Sequence, residues 1–207
     1  MRPYAWLLLI QAWRLCFSTS SAGTPEDFYQ AARIGDVDAM LSMLSSGVVS
    51  NVHRRDSKGN TAFIVASGRG QTGVLKMLLA NGAYIEDATK GGLLAGKTAL
   101  CWAASQGREN AVSFLLESGA NPGHATEDGV FLGKTPLMWA SSQGKTGVVN
   151  ILIKAGVDID FSSQGGNFKG KTSLMWASSQ GRVEVVLRLL EAGANVDLVD
   201  NDGIQLL

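Results

Sequence analysis

Apolar residues in this chain fall into short clusters of two alternating kinds. One kind places them at i, i+3 and i+4, as in Val112, Leu115 and Leu116, the spacing of an amphipathic helix with one buried stripe. The other is short and rich in Ala and Ser, as in Ala99-Leu-Cys-Trp-Ala-Ala-Ser-Gln106. It predicts a small helix that neighbouring helices can approach closely. Polar and glycine-containing stretches separate the clusters, so the elements predicted are paired short helices joined by turns.

The clusters repeat. Gly133-Lys-Thr-Pro-Leu-Met-Trp-Ala-Ser-Ser-Gln-Gly-Lys145 returns as Gly170-Lys-Thr-Ser-Leu-Met-Trp-Ala-Ser-Ser-Gln-Gly-Arg182 and as Gly96-Lys-Thr-Ala-Leu-Cys-Trp-Ala-Ala-Ser-Gln-Gly-Arg108. A worn copy reads Gly59-Asn-Thr-Ala-Phe-Ile-Val-Ala-Ser-Gly-Arg-Gly-Gln71, and the four opening glycines lie 37 residues apart. The second phrase follows each time and closes at Gly82, Gly119, Gly156 and Gly193. A fixed period of this size is the mark of a stacked-repeat architecture. Neither helix of a pair can bury its apolar face alone, so stability is expected from nearest-neighbour stacking.

These phrases resemble the ankyrin repeat: a Gly-x-Thr-Pro-Leu opening, a small-residue helix, a glycine, then a Leu-Leu helix closed by Gly-Ala. The resemblance covers residues 24–203. It implies an all-α repeat solenoid of paired short antiparallel helices with β-hairpin fingers, acting as a protein-binding scaffold. Two departures stand out. The family usually has His after the opening Leu, where this chain has Ile64, Cys101, Met138 and Met175. The family period is roughly 33 residues, and three repeats here are about four longer. The repeats are expected at about 24–58, 59–95, 96–132, 133–169 and 170–202, and residues 203–207 open an incomplete sixth. Thr24, Thr61, Thr98, Thr135 and Thr172 stand where N-caps are wanted. In the first repeat, Asp36 should cap a second helix that buries Met40, Leu41, Met43 and Leu44 and ends at Gly47.

The additional residues fall in the fingers. Gly91-Gly92, Asp128-Gly129 and Gly165-Gly166 share one offset and suit a two-residue type I′ turn, which predicts lengthened β-hairpin fingers. An apolar residue follows each turn at Leu94, Phe131 and Phe168, and a shared offset should point all three the same way.

Charge narrows the function. Lys plus Arg and Asp plus Glu are 18 each, so no net field draws nucleic acid or an acidic membrane. The partner expected is another protein, with no nucleic acid and no stable membrane span, and the chain is expected to be a monomer. His53-Arg-Arg-Asp-Ser-Lys58, the most basic run, contains an acid and reads as a solvated loop.

Residues 1–22 read as a targeting segment. Arg2 is a positive start, Ala5-Trp-Leu-Leu-Leu-Ile-Gln-Ala-Trp13 a short apolar core, and Ser20-Ser-Ala22 a small-residue cleavage site. The preferred reading is a secretory signal. An organelle transit peptide is the alternative, because Arg2 and Arg14 are present with no acid before Glu26. The family resemblance points instead to a cytoplasmic life, and the chain has no Asn-x-Ser/Thr sequon. After cleavage Cys101 is the only cysteine, which leaves no internal disulfide. At the other end, either the chain is a fragment or Ile204, Leu206 and Leu207 fold back over the fifth repeat.

Catalytic chemistry finds little support. Gly91-Gly-Leu-Leu-Ala-Gly-Lys97-Thr98 and Gly165-Gly-Asn-Phe-Lys-Gly-Lys171-Thr172 match the P-loop pattern. A P-loop needs a hydrophobic strand before it and a long helix after it, and both matches lack these. Cys101 sits in the packing column of Ile64, Met138 and Met175. His53 and His124 lie in different loops without metal-ligand spacing. No catalytic, cofactor or metal residue is assigned. The alternatives to a non-catalytic adaptor are a P-loop nucleotide-binding protein and the adaptor portion of a longer multidomain protein.

Three columns are candidate partner contacts. Trp102, Trp139 and Trp176 occur once per repeat, and Trp102 falls about 200° round the helix from Leu100. Lateral packing between first helices is the preferred reading, since large aromatics end mostly buried; an aromatic ladder on the groove is the other. Lys97, Lys134 and Lys171 at the finger base, with Gln106, Gln143 and Gln180 at the helix end, correspond to positions that face partners in the family. Leu94, Phe131 and Phe168 complete the set.

Overall fold

The computed structural model describes residues 23–201 and 203. The targeting segment and Ile204, Leu206 and Leu207 lie outside the described residues. Among the described residues ten α-helices form five pairs: α1 Pro25–Ile34 with α2 Val37–Ser45, α3 Ala62–Arg69 with α4 Thr72–Ala80, α5 Ala99–Gln106 with α6 Glu109–Glu117, α7 Pro136–Ser142 with α8 Thr146–Lys154, and α9 Ser173–Ser179 with α10 Val183–Glu191. No strand occurs among the described residues, and no described helix is long and apolar enough to cross a membrane.

Local chemistry sets the helix ends. Thr61, Thr98, Thr135 and Thr172 each accept, through Oγ1, the backbone N–H three residues on, at 3.3–3.5 Å. Thr24 and Asp27 form a reciprocal capping box ahead of Pro25. Gly35, Gly70 and Gly107 end the first helices of their pairs in the left-handed region.

The odd-numbered helices form an inner layer, each packed on the next. Ala62, Ala66, Ala99, Ala103, Ala140 and Ala177 are fully buried there, and only small side chains permit that approach. The even-numbered helices form the outer layer and send Val74, Leu78, Val112, Leu115, Val149, Leu152, Val185 and Leu189 into one continuous core. Met40 is buried as expected, but Leu41 is exposed; lying one residue on, it points about 100° away from the Met40 face.

The connecting loops explain the opening glycines. Gly59 and Gly96 have φ of +77° and +76°, and a Cβ would lie 1.7 Å from Lys90 O and 2.4 Å from the Asp128 backbone nitrogen respectively. Successive loops stack there backbone on backbone, with the Lys90 N–H donating to Gly59 O at 3.0 Å. No side chain fits between them.

Each lengthened loop is closed at its base by two backbone bonds, between Thr89 and Lys97 with Gly96, Thr126 and Lys134 with Gly133, and Ser163 and Lys171 with Gly170. At the second and third loops the tip differs from the two-residue turn expected, while Gly91 and Gly92 both have the positive φ that such a turn needs. Lys97, Lys134 and Lys171 donate backbone N–H to Leu94, Phe131 and Phe168 O at 3.0–3.2 Å, and Gly166–Phe168 is a turn of 3₁₀ helix. A type I′ turn needs positive φ at both central residues, whereas Asp128 and Gly165 are not in that region. The added residues wind into a helical turn because that geometry swings the ring of Phe131 or Phe168 back onto the inner helix.

Candidate partner-binding groove

The inner helices and the loop bases together line one side of the repeat stack. The lysine of each Gly-Lys-Thr opening leaves the loop base and runs inward, and the tryptophan four residues after the threonine rises from the inner helix beside it. Lys97 Nζ lies 4.1 Å from the Trp102 ring centroid and 3.8 Å from that of Trp139. Lys134 Nζ lies 4.2 Å from Trp139 and 3.6 Å from Trp176, and Lys171 Nζ 5.5 Å from Trp176. Trp and Lys thus alternate along a single ladder. Phe131 and Phe168 stack on one another at 5.6 Å, and each covers the tryptophan of the following repeat at about 5 Å.

Most polar atoms of the ladder are satisfied in the same repeating way. Lys97 Nζ donates to Ser105 Oγ at 2.7 Å and Lys134 Nζ to Ser142 Oγ at 2.9 Å. Those serines donate in turn to the carbonyls of Trp102 and Trp139. The indole N–H of Trp102 donates to Thr89 Oγ1 at 2.9 Å and that of Trp139 to Thr126 Oγ1 at 3.3 Å. Ahead of Trp176, Ser163 stands in the threonine's place and its hydroxyl turns to the backbone carbonyls of Phe168 and Lys171, which leaves the buried indole N–H of Trp176 without a partner among the described residues.

Burial is close to complete: exposure is 2% for Lys97, 3% for Lys134, 5% for Trp139 and 7% for Trp176. Neither buried ammonium pairs with a carboxylate among the described residues. Burial pushes Lys97 down to about 8. Burial, with a further contribution from the charge of Lys97, pushes Lys134 down to about 7. The flanking ring faces attract the charged form, each by up to about 2 kcal/mol when desolvated, and so oppose the shift.

The ladder stops toward the N-terminus because the second repeat has Asn60, Val65 and Gly68 at the positions of Lys97, Trp102 and Ser105. Trp102 is accordingly half-buried. A cavity of about 290 Å³ opens beside it, bounded by Arg33, Lys58, Asn60, Arg69 and Gln106.

An ankyrin-repeat family model, written as three copies, matches residues 28–126 and again 123–200. The chain belongs to the ankyrin-repeat family. A search of curated proteins finds no match to the chain.

Ankyrin repeats imply a protein-interaction scaffold, and the candidate residues divide against that role. Gln106, Gln143 and Gln180 are exposed at one station along three successive inner helices. Leu94, Phe131, Phe168, Trp102 and Lys171 are half-buried. Lys97 and Lys134 are buried, a correction to their expected place on the partner-facing side, whereas the burial of Trp139 and Trp176 fits the preferred packing reading and takes them out of the candidate contacts. The reason is mutual: each lysine fills the gap between two indoles and each indole covers a lysine. Sequence reading overlooked Ser105, Ser142, Thr89 and Thr126, although the constant Lys-to-Ser spacing was a usable signal.

In this ankyrin-repeat chain the first P-loop match does not present its lysine to the surface. Among the described residues no strand precedes Gly91, and Lys97 Nζ is enclosed by rings and Ser105. Cys101 is fully buried and its thiol is pushed up by burial.

Proposed function

We propose that this ankyrin-repeat chain is a protein-binding adaptor that holds a partner along the surface formed by its inner-helix ends and loops, with no catalysis of its own. The observation that carries this is the row Gln106, Gln143 and Gln180. Three identical amides, able both to donate and accept, stand exposed beside a ladder whose buried lysines, Lys97 and Lys134, make their hydrogen bonds internally. A rigid surface of this kind loses little conformational freedom on binding, which favours affinity.

The test is affinity capture of residues 23–203, followed by hydrogen exchange on the captured complex. Protection concentrated at Gln106, Gln143, Gln180 and the adjoining loops is the expected result. Protection confined to the outer helices, or capture unaffected by changing all three glutamines to Glu, would overturn the groove assignment.

A further inference from the structure

We infer that the cavity beside Trp102 receives an acidic segment of a partner protein, with an aromatic or large apolar side chain on the indole and flanking carboxylates on Arg33, Lys58 and Arg69. This rests on the protein-binding reading above and names the chemistry of the partner. In the following repeats the slot against each ladder tryptophan is filled from within: Lys97 lies on Trp139 and Lys134 on Trp176. Against the outer side of Trp102 the corresponding residue is Asn60, which is too short, and the corresponding serine is Gly68, whose Cα hydrogen faces the indole with a Cβ position 3.7 Å from Trp102 Cε3. The ladder therefore ends in a half-buried indole that lines the cavity.

Charge selects the occupant. Arg33 in the last turn of α1, Lys58 in the loop and Arg69 in the last turn of α3 all border this cavity. None of the three forms an ion pair among the described residues. The residues lining the cavity include no carboxylate. Asp56, nearby in sequence, uses Oδ1 to accept the backbone N–H of Lys58 and Asn60, both at 2.9 Å. A partner lysine that merely continued the ladder would meet three like charges, so the ring face is matched to an uncharged side chain and the rim to acids. A nucleic-acid strand would need a basic track running along the groove. Arg108, Lys145 and Arg182 do follow along the helix turns, but the chain as a whole has as many acidic as basic residues, and oligothymidine binding is the outcome that separates the two partners.

The test is selection of a random dodecapeptide display library on residues 23–203, followed by binding of the fluorescein-labelled consensus peptide and of labelled oligothymidine. Enrichment of peptides with Asp or Glu beside an aromatic residue is expected. The consensus should bind the Arg33→Glu/Arg69→Glu double variant at least roughly tenfold more weakly, while Arg33→Lys/Arg69→Lys and the distant Lys154→Glu retain binding. Circular dichroism melts establish that the charge variants remain folded, and quenching of Trp102 emission by the peptide, absent in Trp102→Phe, places the contact at the ring. Enrichment without acids, binding indifferent to the charge reversal, tighter binding of oligothymidine, or no enriched peptide at all would overturn the inference. In the first two cases a captured partner still bound at the glutamine row would leave the adaptor reading standing.

Discussion

Lys97 Nζ sits 3.8 Å from the ring centroid of Trp139, a residue of the following repeat. The contact ties adjacent repeats together in addition to the helix-on-helix core, and Lys134 repeats it against Trp176. Repeat proteins derive much of their stability from such nearest-neighbour terms, so the ladder is expected to raise the cooperativity of unfolding. Lys97 replaced by Ala leaves a space between two indoles and should lower stability by about 1–3 kcal/mol. Lys171, half-buried at the end of the row, should cost less when replaced by Ala. Urea denaturation of the two variants measures the difference, and equal costs would refute a buried role for Lys97.

Lys134 should make stability depend on pH. Its ordinary pKa of 10.5 falls to about 7 in the folded chain, chiefly through burial. Between those values the unfolded state binds a proton that the folded state does not, so stability rises as pH increases through the window and is level below about 7. Lys134→Met, which keeps the aliphatic bulk without the amine, should flatten the slope. The check is a set of urea midpoints from pH 7 to pH 10, supported by an NMR titration of the lysine Cε. A wild-type slope identical to that of the variant would mean the amine titrates normally.

Phe131 is held between the Trp139 ring at 5.0 Å and the Phe168 ring at 5.6 Å. Phe131→Ser should therefore destabilise the chain by about 1–3 kcal/mol and reduce the near-ultraviolet circular dichroism of the coupled aromatics. An unchanged melting curve would show that the loop tip does not pack on the ladder.

Two glycines separate backbone strain from steric exclusion. Gly119 has φ of +94° with nothing within 4 Å of a built Cβ, whereas Gly96 has φ of +76° with the Asp128 nitrogen at 2.4 Å. Gly119→Ala should cost roughly 1–2 kcal/mol, the ordinary left-handed penalty. Gly96→Ala should cost clearly more, because the next loop has to move. Chemical denaturation ranks them, and equal losses would mean that loop stacking at Gly96 adds nothing.

What the sequence by itself determined was everything periodic and local. The repeat length, the helix pairs, the threonine caps and the glycine ends are written within a few residues of where they act, and they carried the ankyrin-repeat assignment. The worn second repeat was also visible, with Asn60, Val65 and Gly68 breaking three columns at once. Tertiary structure decided the rest. A lysine at a finger base reads as solvated, because the rings that bury Lys97 come partly from Trp139 in another repeat, brought close only by stacking. Glycine pairs such as Gly165-Gly166 satisfy a two-residue turn on local grounds, yet burial of Phe168 against Trp176 selected a helical turn instead. The cavity at Trp102 likewise exists only because α1, α3 and α5 lie side by side, placing Arg33, Arg69 and one half-buried indole around the same space.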